Sequence, residues 1–357
     1  MYTVRFGGPG GGKPAWSCSL TMEPYPCRYP DGQYDARMSW LVTGGAGYIG
    51  AHVVNALVDS GYDVVVVDNL SAGLASRVPP DLPLIQGSLL DPELRSRVFD
   101  NHEITGVVHL AAKKRVDESV EKPSLYYHEN VEGLRLLLDS CVAANVPSFL
   151  FSSSAAVYGE TDVLPIVEDS PCAPVSPYGQ TKLAGEWLTH AVGAAAGMRT
   201  VALRYFNVAG AGRPELADRA GMNLIPMLLR AIAGGTSPQI FGSDYPTPDG
   251  TCVRDYIHVV DVAEAHVAAV RRLVDGSIDE PLTLNIGTGL GVSVREMVDT
   301  ALRVTGSDLR PVIQPRRPGD PPAVVAAVDR AAKLLQWEAR FSVDEMVESA
   351  WQAWTAA

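Results

Sequence analysis

A tyrosine and a lysine four residues apart form the most reactive pair that the sequence suggests. Tyr178 and Lys182 lie in the segment SPYGQTK, which begins at Ser176. Pro177 favours the first turn of a helix, where a spacing of four residues places the phenol and the ammonium on one face. A free phenol has a pKa of about 10, and a neighbouring lysine cation favours its ionised form. The pattern therefore predicts that Tyr178 exchanges a proton with a substrate hydroxyl.

Three serines upstream strengthen this interpretation. Ser152, Ser153 and Ser154 end a predicted strand, where the Ser154 hydroxyl can reach the same substrate oxygen. A tyrosine and a lysine at this spacing alone are more typical of a solvated helix face, so the three-part pattern is what indicates catalysis. The histidines and carboxylates show no metal-ligand spacing, and no GxSxG motif is present, so we expect neither a metal site nor a serine hydrolase. His258 is the one histidine that its context, DYIH, singles out.

A glycine loop near the start of the folded region points to a dinucleotide. The segment TGGAGYIG carries Gly44, Gly47 and Gly50 between a predicted strand and a predicted helix. Glycines there let the backbone approach a diphosphate, which the helix N-terminus stabilises; without a ligand they would mark only a tight turn. Asp68 ends the second predicted strand, where a carboxylate binds the adenosine ribose and repels a 2′-phosphate. The cofactor is therefore predicted to be NAD, and its positive nicotinamide would also favour the Tyr178 phenolate.

These groups need a parallel sheet to position them. Short apolar runs alternate with helical stretches, and one of these stretches, 132–145, places apolar residues on a single face. The runs are apolar throughout, as in strands covered on both sides. The sequence predicts an α/β fold: a doubly wound parallel sheet of the Rossmann type, with a smaller C-terminal substrate-binding lobe. The predicted strands lie at 64–67, 107–110, 149–152 and 200–203, and the predicted helix face comprises Leu134, Leu137, Leu138, Cys141 and Val142.

The chain divides into three predicted regions. Residues 1–37 are rich in glycine and proline without periodicity, so we expect a disordered extension. We hypothesise that Met38 is the natural start or that the extension is a dispensable tail. Residues 38–210 form the predicted NAD-binding domain, to which some later segments return. Residues 211–357 mainly form the predicted substrate-binding lobe, with long loops such as 243–251 and a closing helix at 343–354.

Composition excludes several classes of protein. The net charge of −12 argues against a nucleic-acid surface, which needs clustered Lys and Arg. The five cysteines are scattered and odd in number, which favours a reducing, cytoplasmic setting. No apolar run reaches the roughly 20 residues of a membrane helix, and no signal segment is visible, so we expect no membrane partner.

Seven motifs, taken together, resemble the UDP-glucose 4-epimerase family of extended short-chain dehydrogenases. They run in order from Met38 to the C-terminus, and the later ones are the more specific. The motifs are TGGAGYIG, DNL at 68–70, FSSSAAVYG at 151–159, SPYGQTK, LRYFNVAGA at 203–211, VRDYIHV at 253–259 and RRPGD at 316–320.

The resemblance implies a mechanism and a set of binding residues. Tyr178 would remove the sugar 4-hydroxyl proton while C4 gives hydride to NAD, Ser154 would bond the same oxygen, and the 4-keto sugar would turn and take the hydride back. A homodimer pairing helices near 132–145 and 178–192 is also implied. The implied cofactor-binding residues are Gly44, Gly47, Tyr48, Ile49, Gly50, Asp68, Asn69, Ser88, Leu89, Leu110, Lys114, Asn130, Tyr178, Lys182 and Phe206. The implied UDP-sugar-binding residues are Ser154, Tyr178, Asn207, Asn223, Leu224, Gln239, Phe241, Arg254, Tyr256, Arg317, Asp320 and Val324. Guanidinium groups such as those of Arg254 and Arg317 suit a diphosphate, although each also fits a surface ion pair.

Three positions depart from the family pattern. Ser88 replaces an aspartate that contacts adenine, and the segment HLAAKK at 109–114 replaces HFAGLK near the nicotinamide. Val324 falls where some epimerases carry a bulky tyrosine. A smaller gate predicts that UDP-N-acetylhexosamines are also epimerised.

The same residues bear on other functions. A 4,6-dehydratase or a decarboxylase usually has an acid near Ala155 and Ala156, and this chain has none there. A 4-epimerase of UDP-uronate or UDP-pentose remains open, because no motif specifies recognition at C6. A non-catalytic NAD-binding module is a further alternative, which the joint presence of Ser154, Tyr178 and Lys182 disfavours.

Overall fold

A computed structural model of the chain describes residues 39–161, 163–219, 223–317 and 319–356. The predicted extension at 1–37 lies outside the described residues. Within them, no helix is both long enough and apolar enough to cross a bilayer.

The centre of the molecule is a seven-stranded sheet in which every neighbouring pair is parallel. Its spatial order is β10-β6-β5-β4-β1-β2-β3, so the chain moves outward from β1 on one side and then from β4 on the other. The reversal between β1 and β4 marks where a ligand crevice forms in such sheets. The strands are β1 (Ser39–Thr43), β2 (Asp63–Asp68), β3 (Leu84–Gln86), β4 (Ile104–His109), β5 (Ser148–Ser154), β6 (Arg199–Tyr205) and β10 (Leu282–Ile286).

Strand β1 shows why the strand segments are apolar throughout. Trp40 and Val42 belong to the core on one face of the sheet, whereas Leu41 belongs to the core on the other. Successive side chains of a strand point to opposite faces, so a strand buried on both sides needs apolar residues at each position. The predicted doubly wound sheet is confirmed, and each of the four predicted strands overlaps an observed one.

Helices cover both faces of the sheet. The predicted helix face at 132–145 is confirmed for four residues, because Leu134, Leu137, Leu138 and Cys141 are buried. It is wrong for Val142, which is 41% exposed because it lies at the edge of that face. The helices around the sheet are α1 (Tyr48–Asp59), α2 (Pro92–Asn101), α3 (Val116–Glu121), α4 (Pro123–Tyr126), α5 (Gly133–Ala143), α6 (Pro177–Ala196), α8 (Val259–Val274) and α10 (Asp329–Leu335). A π-helical turn, Tyr127–Glu132, precedes α5.

Short strands and three amphipathic helices build the remaining part. One small sheet has the order β11-β9-β13, with β7 beside β9, and a second joins β12 to β8. The helices share an apolar cluster of their own. The loop predicted at 243–251 has neither helix nor strand, and the predicted closing helix is observed as the last one. These elements are β7 (Asn207–Ala209), α7 (Leu224–Ala233), β8 (Gln239–Phe241), β9 (Val253–His258), β11 (Gly291–Ser293), α9 (Val294–Thr305), β12 (Val312–Gln314), β13 (Ala323–Val324) and α11 (Val343–Thr355).

Candidate active site

The glycine loop between β1 and α1 leaves backbone open at the edge of the sheet. Gly44 has φ of +74°, and a Cβ there would lie 2.6 Å from the Ala111 nitrogen. A Cβ on Gly50 would lie 2.0 Å from the Gly44 carbonyl oxygen, so no side chain fits. Helix α1 begins at Tyr48, and the N–H groups of its first turn lack intrahelical acceptors. Glycine is therefore required because the loop packs tightly on itself and on Ala111. Together with the free N–H groups at the start of α1, the loop forms a cradle that fits a diphosphate.

Asp68 joins the end of β2 to this loop. Its Oδ2 accepts a hydrogen bond from the Ala46 N–H at 3.0 Å, and its Oδ1 accepts one from the Leu70 N–H at 2.8 Å. The carboxylate is 7% exposed and lines the crevice. A fixed negative charge here fits a ribose and opposes an added phosphate, as predicted for NAD.

One cavity of about 860 Å³ connects the glycine loop with the C-terminal region. It begins at the glycine loop, passes the carboxyl ends of the central strands and reaches β9 and β13. Most of the predicted site residues line it: Gly44, Gly47, Tyr48, Ile49, Gly50, Asp68, Asn69, Ser88, Leu89, Leu110, Lys114, Ser154, Tyr178, Lys182, Phe206, Asn207, Asn223, Leu224, Arg254, Tyr256, Asp320 and Val324.

The three predicted catalytic residues meet in the middle of this cavity. Ser176 caps α6 by accepting a hydrogen bond from the Gly179 N–H at 3.1 Å, so Tyr178 and Lys182 fall in the first turns of the helix. Ser154 is the last residue of β5, and its hydroxyl acts on the Tyr178 phenol, whose pKa it lowers. The Lys182 Nζ lies 6.0 Å from the centroid of the Tyr178 ring and donates to the Ser152 carbonyl at 2.7 Å.

Burial sets the charge state of this group. It raises the pKa of Tyr178, and the Ser154 hydrogen bond lowers that pKa by a smaller amount. Desolvation of the buried phenolate is therefore the largest effect that the protein itself exerts on Tyr178, and the expected phenolate depends on the charges of Lys182 and the nicotinamide. Burial lowers the pKa of Lys182 to about 8, so the ammonium form predominates at neutral pH. Burial and Lys182 together lower the pKa of His109 to about 3, which leaves that imidazole neutral.

The structure places Asn130, an expected cofactor-binding residue, against Lys113 and helix α6. Asn130 is buried in the π-helical turn and is not among the described residues that line the cavity. Its Oδ1 accepts from the Lys113 N–H at 2.7 Å, and its Nδ2 donates to the Lys113 carbonyl at 2.9 Å and to Thr181 Oγ1 at 3.1 Å. Asn130 thus ties the segment that carries Lys114 to helix α6.

The far end of the cavity holds a half-buried cation. The Arg254 guanidinium donates to Asp320 at 3.3 Å and to the Val253 carbonyl at 2.9 Å, and its side chain is 13% exposed. Val324 is paired with Arg254 across β13 and β9, so it lies beside this cation. Asn223 precedes α7 and donates to Asp218 at 2.7 Å. These side chains could hold a diphosphate and its neighbouring groups.

Three predicted substrate residues lie together outside the described cavity wall. The Arg317 guanidinium lies 3.9 Å from the centroid of the Phe241 ring, and Gln239 is on the same short strand as Phe241. Arg317 and Gln239 are exposed. The structure therefore places Arg317 against Phe241, and none of the three residues is among the described ones that line the cavity.

His258, singled out from the sequence, is explained by packing. Its Nδ1 accepts from the Val260 N–H at 3.1 Å at the start of α8, and its ring stacks on Phe341 at 4.2 Å. Burial lowers its pKa to about 4. The imidazole is thus a neutral helix cap.

Sequence reasoning missed three residues that contribute to the site. Arg77 is buried at the cavity wall and donates to the Ala217 carbonyl at 2.5 Å. It lies in a short 3-10 turn, and no motif marks it. Glu186 and Arg204 form a buried ion pair behind Lys182. Two features of the sequence could have indicated them: Glu186 follows Lys182 by four residues, and Arg204 lies within the motif LRYFN.

Comparison with known proteins agrees with this geometry. Residues 40–287 match the NAD dependent epimerase/dehydratase family. A UDP-glucose 4-epimerase of Azospirillum brasilense is 46% identical over 315 residues, covering 87% of this chain and 90% of the relative. The UDP-glucose 4-epimerase of Stenotrophomonas maltophila, solved with NAD and formylated UDP-arabinopyranose, is 38% identical, with a TM-score of 0.85 over 89% of this chain and 98% of that one. The UDP-Glc/GlcNAc 4-epimerase of Campylobacter jejuni is 33% identical, with a TM-score of 0.79 over 90% of this chain and 100% of that one. On sequence and fold together, the chain belongs to the NAD dependent epimerase/dehydratase family.

Proposed function

We propose that this chain is an NAD-dependent 4-epimerase that interconverts UDP-galactose and UDP-glucose. The observation that carries the proposal is the single cavity in which the dinucleotide cradle, the Ser154–Tyr178–Lys182 group and the Arg254 cation follow one another. A UDP-sugar that places its diphosphate at Arg254 would extend its hexose toward Tyr178. The similar epimerases of A. brasilense and S. maltophila support the same reaction.

The catalytic residues act on one substrate oxygen. Tyr178 would take the proton of the sugar 4-hydroxyl and later return it, with Ser154 bonded to the same oxygen and fixing its position. Lys182, held by the Ser152 carbonyl, supplies a cation that favours the phenolate. When bound, NAD supplies a reversible hydride acceptor beside the sugar carbon, so the reaction has no net redox change. Because Tyr178 serves as base and then as acid, the cycle needs no outside proton.

Conversion without added cofactor tests the proposal. The purified protein is incubated with UDP-galactose, no NAD is added, and UDP-glucose is measured by anion-exchange chromatography. Formation of UDP-glucose until the two sugars reach a constant ratio is expected, because the cofactor is regenerated in each cycle. If a preparation shown to contain bound NAD forms no UDP-glucose, the proposal fails.

The acceptance of UDP-N-acetylhexosamines is a second candidate activity. Val324 lines the cavity next to Arg254, and its small side chain leaves room for a 2-acetamido group. The similarity to the UDP-Glc/GlcNAc epimerase of C. jejuni supports this activity. A kcat/KM for UDP-GalNAc below about a thousandth of that for UDP-galactose would count against it, since a pocket that tolerates the group discriminates far less. UDP-uronates and UDP-pentoses are the alternative substrates, to be compared in the same assay.

The roles of single residues and the functions of the two parts of the chain also belong to the proposal. Asn130 is proposed to support the cofactor site through Lys113, and Gln239, Phe241 and Arg317 are proposed to contact the nucleotide beside Arg254. Residues 38–210 are proposed as the NAD-binding domain and 211–357 mainly as the substrate lobe. Strand β10 comes from the later part and completes the central sheet beside β6, which agrees with the expected return of later segments.

A homodimer in the cytoplasm is proposed as the working state. Trp187 on α6 is 66% exposed, Tyr127 is 42% exposed and Val142 on α5 is 41% exposed, so the helices that the family resemblance pairs between subunits display apolar surface. Cys141, Cys172 and Cys252 are free thiols, which suits a reducing compartment. Sedimentation velocity should show a dimer that Trp187→Glu dissociates, whereas the control Leu290→Glu, another exposed apolar position, should leave it intact. A wild-type monomer at micromolar concentration would refute the dimer.

A further inference from the structure

A buried ion pair lies directly behind the catalytic lysine. Glu186 is on α6 one turn after Lys182, Arg204 is on β6, and their side chains are only 3% and 7% exposed. Arg204 donates from Nε to Glu186 Oε1 at 2.8 Å and from Nη2 to Oε2 at 2.6 Å. Neither residue is among those that line the described cavity. Any effect of this pair on the reaction must therefore pass through other side chains.

Ser153 connects the pair to the end of β5. Its hydroxyl donates to Glu186 Oε1, and Ser153 itself is 1% exposed. On one side of Ser153, the Ser152 carbonyl accepts the Lys182 ammonium at 2.7 Å. On the other side, the Ser154 hydroxyl lowers the pKa of the Tyr178 phenol. The carboxylate thus anchors the three residues of β5 on which both catalytic contacts depend.

Arg204 extends the same network across the sheet. Its Nη1 donates to the Tyr158 hydroxyl at 2.9 Å and to the Glu168 carbonyl at 3.0 Å. The Tyr158 hydroxyl in turn donates to Asn285 Oδ1 at 2.6 Å, on β10. Each charge of the pair therefore has several partners in a buried region. A buried pair of this kind contributes little net stability, but it fixes the positions of its partners, and its charge is poorly screened.

The pair also determines the charge around Lys182. The titratable groups that face this ammonium or its phenol are His109 on β4, Tyr178 and Glu186 on α6, and Tyr205 on β6. His109 is neutral, and burial raises the pKa of both phenols, so these three groups add no charge near neutral pH. Glu186 supplies the negative charge that raises the pKa of Lys182 against the effect of burial.

We propose that Glu186 and Arg204 are positioning residues of the epimerase: they hold Ser154 in place through Ser153 and keep the positive charge on Lys182 beside Tyr178. The inference rests on the function proposed above and deepens it. It assigns a role in the reaction to two residues that are not among the described ones lining the cavity.

The test replaces both charges by neutral groups in the NAD-loaded protein. The double variant Glu186→Gln/Arg204→Met is preferred, because removing one partner alone leaves an unpaired buried charge. Without Glu186 the pKa of Lys182 falls below about 8, so the ammonium is lost at lower pH. The alkaline limb of the kcat profile should move down by about one pH unit. We expect kcat above that limb to fall about ten-fold, with the KM for UDP-galactose and the bound NAD per chain unchanged.

A second readout does not depend on turnover. The phenolate absorbance of Tyr178, taken as the difference between each protein and its Tyr178→Phe counterpart, is titrated with pH. The apparent pKa of Tyr178 should rise by about one unit in the double variant, because a neutral lysine no longer stabilises the phenolate. A wild type with no epimerase activity would defeat the proposed function, whereas this titration would still decide the present inference.

Three further variants serve as controls. Glu168→Gln removes another buried carboxylate of the network, which accepts from the Asn285 N–H at 3.0 Å, and should leave the alkaline limb in place. Glu186→Asp, made as a single substitution, keeps the negative charge and should leave the alkaline limb of the kcat profile where it is in the wild type. Ser153→Ala keeps both charges, is expected to fold even if the double variant does not, and should lower kcat without moving the limb. An unchanged limb and phenol titration in the double variant, or an unchanged kcat in Ser153→Ala, would overturn the inference.

Discussion

The two ends of the cavity are built differently. At the catalytic end, Ser154 ends strand β5 of the central sheet, and Tyr178 and Lys182 lie in the first turns of helix α6. The Lys182 ammonium is held by the Ser152 carbonyl of the same strand. At the nucleotide end, Arg254 is held by Asp320, which follows it much later in the sequence. The catalytic geometry is thus fixed by regular structure, whereas the nucleotide geometry is assembled from short strands and loops.

This difference indicates that catalysis and nucleotide binding can be altered separately in this protein. A catalytic group that is already positioned contributes in the transition state, and its loss lowers kcat. A cation that binds the diphosphate acts equally on substrate and transition state, so its loss raises KM. Variants at the two ends should therefore change different kinetic constants.

Removing the Tyr178 hydroxyl should have the largest effect. In Tyr178→Phe, kcat is expected to fall about a thousand-fold, because proton transfer by a positioned group contributes up to about ten-thousand-fold. The dissociation constant of UDP, measured by calorimetry, should stay within a factor of about two of the wild-type value, since only the catalytic end is altered. Tyr127→Phe is the matched control, because that phenol is bonded to Gln180 on the same helix and is not among the described residues that line the cavity. Equal turnover by both variants would remove Tyr178 from the mechanism.

Neutralising the nucleotide-end cation should have the next largest effect. In Arg254→Gln, the KM for UDP-galactose should rise about ten- to a hundred-fold, as expected for a lost charged hydrogen bond of about 1.5–3 kcal/mol. The kcat should stay within a few-fold of the wild-type value. Arg316→Gln is the control, because Arg316 pairs with Asp244 and is not among the described cavity residues. A fall in kcat at constant KM would contradict the separation of the two ends.

Narrowing the pocket at Val324 should have the smallest effect, and only on one substrate. In Val324→Tyr, kcat/KM for UDP-GalNAc should fall about ten-fold relative to that for UDP-galactose, because the larger side chain takes the space of the 2-acetamido group. Val324→Thr, which keeps the volume, should leave the ratio unchanged. The measurement is the ratio of kcat/KM for UDP-GalNAc to kcat/KM for UDP-galactose, taken on one protein preparation. Equal losses of kcat/KM for both sugars would argue against a gate at this position.

The parts of the site that could be predicted from the sequence are those that depend on local sequence patterns. The glycine loop, the strand that ends in Ser154 and the helix that begins after Ser176 each depend on neighbouring residues, and each was predicted. The contacts of Asn130 could not be predicted, because its partners Lys113 and Thr181 are brought to it by the fold. The raised pKa of Tyr178 was missed for the same reason, since burial is a property of the assembled site.

The nucleotide end shows the limit more clearly. The order of the motifs predicts that Arg317 and Phe241 act with Arg254, but only the folded chain shows that Arg317 stacks on Phe241. Short elements such as β8 and β13 have too few residues to show a period. Glu186 could not be predicted as a site residue, because a carboxylate on a helix usually faces solvent. The neighbouring residues in the sequence do not show that Arg204 lies against it.

The most direct test of the account follows the hydrogen on the sugar carbon. UDP-galactose labelled with deuterium at C4 is incubated with the wild-type protein in ordinary water without added NAD, and the UDP-glucose formed is examined by mass spectrometry and NMR. We predict that the product keeps the deuterium at C4, because that hydrogen leaves and returns within one closed site while Tyr178 carries only the hydroxyl proton. Product that has lost the label to water, or labelled substrate that is never converted, would contradict the account.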